Sequence, residues 1–183
     1  MTTCIALLRG INVGRAKRLP MEDLRALVEG LGHTNVRTLL NSGNVVFDAH
    51  RVTVSKIAKS IEVAIADKFG FAAAVVALTA KDFAAVIQEN PLQAAATDPS
   101  KYLVAFVSST TTLAKAKPLL AKSWTPEAFA IGKRAAYVWC PNGIIESRLL
   151  QAFGRATGGV ATTRNWATLL KLQAAASLRG NAV

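Results

Sequence analysis

The stretch "VRTLLNSGNVVFDA", residues 36–49, decides the fold. Two short β-rich runs flank three turn residues, Asn41-Ser42-Gly43, so the chain reverses as a hairpin. Gly43 suits the left-handed position of a bulged loop. Working outward, "TCIALLR" at 3–9 has the apolar, partly β-branched pattern of a buried strand. After a long turn, Pro20 opens a helix whose apolar stripe is Met21, Leu24, Leu27, Val28 and Leu31, and Gly32 ends it. Glu22 and Asp23 in its first turn complement the helix dipole. Beyond the hairpin, Val54, Ile57, Ile61, Ile65 and Phe69 line a second helix closed by Gly70, and "FAAAVVALT" is a strand. The order is β-α-β-β-α-β, the split βαβ or ferredoxin-like unit.

A short helix over 80–90 ends at Asn90-Pro91, and "LQAAATDPS" is the best linker in the chain. A similar order then recurs. "KYLVAFVS" reads as a strand, 111–122 as a helix, "EAFAIG" and "AAYVWC" as a hairpin, 144–154 as a helix and 158–161 as a short strand. A last helix covers 163–178. The expected fold is therefore α+β: two related ferredoxin-like (βαββαβ) halves packed together, with an extra C-terminal helix. The expected partition is 1–90, a linker over 91–100, and 101–183.

Length and composition agree with a globular protein. A chain of 183 residues buries roughly 70% of the surface it exposes when unfolded, and 18% charged residues exclude disorder. Cys4 and Cys140 stand far apart without a CxxC or Cys/His cluster, so they read as buried thiols rather than zinc ligands or a disulfide. "CIALL" is too short for a signal sequence and is stopped by Arg9, and "FAAAVVALTA" is half the length that spans a bilayer. A cytoplasmic protein without a membrane segment is expected. The net charge of +11 is uneven, with +2 in residues 1–100 and +9 in 101–183. The basic half is either a phosphate-facing surface or a solvated cationic one. Aromatic stacking patterns of RNA-binding sheets are absent.

Familiar catalytic signatures are missing too: no GxSxG, no Walker loop, no GxGxxG. His33, in a turn, and His50, after a strand, are either general bases or solvated loop residues, the latter preferred. No carboxylate pair suggests acid–base work, so an enzymatic role stays open and no cofactor is implied.

Three polar constellations interrupt the apolar pattern. In Arg9-Gly10-Ile11-Asn12-Val13-Gly14 a buried strand feeds a helix, and two glycines let a ligand approach backbone N–H groups. The alternative is a connecting turn whose Arg9 pairs with a carboxylate. Lys17 and Arg18 add charge to the same loop. In Asn41-Ser42-Gly43-Asn44 a tight turn suffices as an explanation, yet Ser42 and Asn44 also offer donors at the sheet's end. The third is "TTRNWATLLKL", 162–172, where Thr162 or Thr163 reads as the N-cap of the last helix. Arg164 there opposes the helix dipole, which points to an anion rather than to helix stability. Trp166 either walls a pocket or anchors the helix in the core. "PNGIIESRL", 141–149, is a turn into a helix, with Ser147 and Arg148 as lesser candidates.

The motifs "ALLRGINVG", "LPMEDLRAL", "VRTLLNSGNVVF", "NP" at 90–91, "YVWCPNG" and "ATTRNWATLLKL" together resemble, in order and across the chain, the domain-of-unknown-function family 1697. The resemblance implies a bacterial, cytoplasmic α+β protein with a duplicated ferredoxin-like arrangement, and no established reaction. The positions it carries over are Arg9, Gly10, Asn12, Gly14, Ser42, Gly43, Asn44, Thr163, Arg164, Asn165 and Trp166. Arg15 and Ala167 depart from it, where the family commonly has Gly and Asn. The leading expectation is a small-anion or nucleotide-like ligand site. It would be formed by Arg9, Gly10, Asn12, Gly14, Ser42 and Asn44 with Arg164, Asn165 and Trp166. A nucleic-acid-binding module using the basic half is the alternative, and a protein-interaction role without a ligand is the third.

Overall fold

The computed structural model describes residues 1–14, 17–50 and 53–178. Arg15, one of the two departures noted above, lies outside the described residues. Among them, two four-stranded antiparallel sheets alternate with six α-helices. The chain divides into two compact units. The first comprises Met1–Ala84 with Lys171–Val183, and the second is Ala85–Leu170.

In the first unit the elements are β1 (Thr2–Arg9), α1 (Met21–Gly30), β2 (Thr34–Leu39), β3 (Asn44–Ala49), α2 (Val54–Phe69) and β4 (Ala74–Thr79), followed by α3 (Ala80–Glu89). The sheet order is β2-β3-β1-β4. The expected hairpin is present, with Leu39 opposite Asn44. Residues Ile57, Ile61 and Ile65 recur every four positions and put one buried stripe of α2 on the sheet. With Leu24, Leu27 and Val28 of α1 they pack on Cys4, Ala6, Leu8, Val45, Phe47 and Val75. Gly70 closes α2 in the left-handed conformation (φ 72°), its N–H reaching Ala66 O at 3.0 Å. Pro20 does not open α1 but precedes it, in an extended conformation (ψ 140°). His33 differs from the solvated residue expected. It is 8% exposed, lies 4.7 Å from the Phe47 ring, and burial lowers its pKa, which favours neutral imidazole. His50 is exposed.

In the second unit β5 (Tyr102–Phe106), α4 (Thr110–Ala116), β6 (Ala128–Ile131), β7 (Ala135–Trp139), α5 (Arg148–Ala156) and β8 (Thr162–Asn165) precede α6 (Trp166–Ser177), whose residues from Lys171 on belong to the first unit. The strand order, β6-β7-β5-β8, repeats that of the first unit position for position. Three expectations change here. The helix expected over 111–122 stops at Ala116 and continues as a tighter turn, Lys117–Ala121, at Pro118. The helix expected from 144 starts at Arg148. Its cap is Ser147, whose Oγ accepts from Leu150 N at 2.9 Å, and Glu127 Oε2 accepts from Leu149 N at 3.1 Å. Gly158 and Gly159, both left-handed, end α5 where a strand was expected, so the last strand begins only at Thr162. Both cysteines are free and buried, and burial raises their pKa values. No helix among the described residues is long and apolar enough to cross a membrane.

Candidate functional site

The expected site residues fall in both units, and each set is described by itself. In the first unit, residues paired across strands share a sheet face, and alternate residues along a strand return to it. Leu7 pairs with Asn44 and Arg9 lies two residues further along β1. Arg9 and Asn44 are therefore diagonal neighbours on one face, about 7–8 Å apart at the backbone. It is the face opposite α1 and α2, and Ile5, Leu7 and Val46 on it are fully buried.

Asn12 clasps the loop after β1. Asn12 Nδ2 donates to Leu19 O and to Asn41 O, both at 2.9 Å, while its Oδ1 accepts from Leu19 N at 2.8 Å. Its backbone N–H meets Lys17 O at 3.0 Å. Asn12 itself is left-handed (φ 55°), a conformation that Asn tolerates better than most residues. Both of its amide hydrogens are thus engaged within the protein, so its role is to tie the loop to the hairpin turn. Asn44 acts similarly: fully buried, it donates to Leu39 O and Ser42 Oγ, each at 2.9 Å. Ser42 is exposed beside it. Gly10 (φ 75°) and Gly14 (φ 65°) are left-handed with open space where a side chain would stand, which leaves the backbone approachable. The turn itself is one residue longer than expected, because Leu40 (φ 57°, half exposed) joins it.

The second unit corrects the reading of "TTRNW". Thr162, Thr163, Arg164 and Asn165 are not a helical turn but the edge strand β8, paired with Phe106, Ala105, Val104 and Leu103 of β5. The cap of α6 is Asn165 rather than Thr162 or Thr163. Its Oδ1 accepts from Thr168 N at 3.0 Å and from Thr168 Oγ1 at 2.7 Å. Arg164 lies ahead of that cap, so its charge does not oppose the dipole of α6 as expected. We expect Asn165→Ala to lower stability by about 1 kcal/mol and Thr163→Ala to change it by less. Urea melts of the two variants check the assignment, and a larger loss for Thr163→Ala would refute it.

Arg164 shares a face with Thr162, opposite Val104 and Phe106, which are both buried. Its Nη1 donates to Thr163 O at 2.9 Å, and burial lowers its pKa to about 10, which leaves it charged at neutral pH. Trp166 is half-buried and stacks on Tyr102, with ring centroids 4.8 Å apart and planes 20° from parallel. Tyr102 in turn donates to Asn90 Oδ1 at 2.9 Å. Among the described residues no three His, Cys, Asp or Glu side chains gather as a metal site would need.

The sequence reading missed Tyr137 and Glu89. Tyr137 OH donates to Val86 O at 2.7 Å and lies 3.1 Å from Glu89 Oε2, and burial with the Glu89 charge raises its pKa. Neither lies in a polar motif, and they are separated by 48 residues, so local pattern held no signal.

A solved structure of a conserved bacterial protein from Streptococcus pneumoniae is similar over 95% of this chain and 98% of its own, with a TM-score of 0.74 and 20% identity. At that identity the likeness concerns the fold. No curated protein matches the chain. The family model described as a protein of unknown function (DUF1697) matches residues 1–137. The match includes the loop after β1 and the hairpin turn but stops short of β8. On that match, which spans most of its length, the chain belongs to the DUF1697 family.

Proposed function

We propose that the protein binds a small anionic or nucleotide-like ligand through guanidinium groups set into apolar sheet faces. In the first unit the group is Arg9, beside the open loop of Gly10 and Gly14 and the turn at Ser42–Asn44. In the second it is Arg164, next to Asn165 and Trp166. The observation that carries the reading is the placement of Arg164 on a strand, on the face of Val104 and Phe106, where desolvation depresses its pKa. In such a partly dry setting a charge-assisted hydrogen bond from a guanidinium to an anion is stronger than it is in water. Asn12 and Asn44 shape the first unit's residues rather than contact the ligand.

Calorimetric titration with inorganic phosphate, pyrophosphate and AMP at low ionic strength tests this. Arg9→Lys and Arg164→Lys should each weaken binding by about 1.5–3 kcal/mol, because the planar donor fork is lost even though the charge remains. Absence of heat with all three ligands, or unchanged affinity in both variants, refutes it.

The exposed cations Lys115, Lys117, Lys122, Lys133, Arg134, Arg148 and Arg155 of the second unit favour a second reading, nucleic-acid binding. It predicts affinity falling with salt at a slope of about −0.9 per phosphate contact. We further read each unit as ferredoxin-like, supported by the shared strand order. We also take the two related halves, in contrast to the compact units, as 1–90 and 101–183 joined by 91–100, with no residue-level repeat between them.

A further inference from the structure

The second unit holds a cavity of about 420 Å³ between two loops, Lys122–Glu127 and Asn142–Arg148. Hydrogen bonds fasten the loops. Glu127 Oε2 accepts from Leu149 N, Glu127 N donates to Trp124 O at 2.8 Å, and Trp124 Nε1 donates to Leu119 O at 2.9 Å. The indole is thereby fixed as a wall. At the mouth stand Lys122 and Arg148 against Glu146, all exposed. Among the described residues none of these charges, nor Glu127, is in an ion pair. At the start of α5, Ser147 Oγ and the Glu127 carboxylate already take the N–H groups of Leu150 and Leu149.

The size lies within the range of about 300–1,000 Å³ typical of small-molecule sites, well above that of a single ion. Its charges narrow the ligand. Two carboxylates in one cavity disfavour a polyanion, and two cations disfavour a simple amine. A molecule carrying both signs satisfies both sets, and an apolar part meets Trp124 and Pro126. We propose that this cavity binds a small zwitterion of the amino-acid class. Its carboxylate is held by Arg148 and Lys122, its ammonium by Glu146 and its side chain by Trp124.

The full chain is titrated with each of the standard amino acids up to about 5 mM, several times a millimolar dissociation constant, following tryptophan fluorescence and heat. At least one is expected to bind. Its N-acetyl and methyl-ester derivatives, each lacking one charge, should bind about tenfold more weakly or worse. Arg148→Gln should weaken the free amino acid and its N-acetyl form alike. Glu146→Gln should weaken the free amino acid and its methyl ester but not the N-acetyl form. Both residues are exposed, so the variants should fold, and Arg9→Lys and Arg164→Lys should leave this binding unchanged. No binding by any amino acid, inorganic phosphate competing as effectively as the amino acid, or variants with wild-type affinity each overturn the proposal.

Discussion

Gly43→Ala is expected to destabilise the protein by about 2–5 kcal/mol, among the largest losses any single methyl group should cause here. Two costs act together. With φ at 74° a Cβ is strained by roughly 1–2 kcal/mol. It would also stand 2.6 Å from Leu8 Cβ, which the backbone holds in place, and 2.8 Å from Ile11 Cδ1, on a buried side chain. Gly43 O moreover accepts from Leu8 N at 2.8 Å, so backing the turn off would open the ladder between β1 and β3. Gly14→Ala is the control. Its φ is 65°, but its surroundings are open, so it should cost only the strain of about 1–2 kcal/mol. Urea denaturation of both separates the terms. Equal losses would mean that the contacts at Gly43 relax freely and that packing does not explain the glycine.

The hairpin around Gly43 was legible because its signals are local: alternating β-rich runs, turn residues and one glycine. The stripe of Ile57, Ile61 and Ile65 was legible for the same reason. What escaped the sequence depends on distant partners. The start of α5 lies later than the sequence pattern suggests, where Glu127, far upstream, takes the N–H of Leu149. The segment "TTRN" reads as a helix start because an amphipathic helix follows it at once. Only pairing with β5 makes it a strand, and only then does Asn165 become the cap. Leu40 in a left-handed conformation is disfavoured by its Cβ, so nothing in its identity announces it. The site is subject to the same limit. The polar motifs point to Asn12 and Asn44, but these side chains donate chiefly to the backbone carbonyls of Leu19, Asn41 and Leu39. Every residue supplies such a carbonyl, so composition cannot distinguish an asparagine facing a ligand from one bracing a loop.

Asn12→Ala should lower stability by about 2–4 kcal/mol, a large loss for a residue that is not fully buried. Three side-chain hydrogen bonds disappear at once, each worth about 0.5–1.5 kcal/mol. Alanine at φ 55° adds strain that asparagine largely avoids. The damage should be local as well as global. The amide of Leu19 donates to Asn12 Oδ1, so its hydrogen exchange reports directly on the clasp. In Asn12→Ala that amide should lose protection relative to the amides of β1. In Asn12→Asp the acceptor survives and Leu19 should stay protected, yet both donors are lost, and the carboxylate then faces the carbonyls of Leu19 and Asn41. Phosphate binding that depends on Arg9 should weaken in both variants, because the loop carrying Gly10 and Gly14 is no longer pinned to the hairpin turn. If Asn12→Ala leaves stability and Leu19 exchange untouched but abolishes phosphate binding, Asn12 contacts the ligand itself. The sequence's first reading of "RGINVG" would then be right, and the clasp would be incidental.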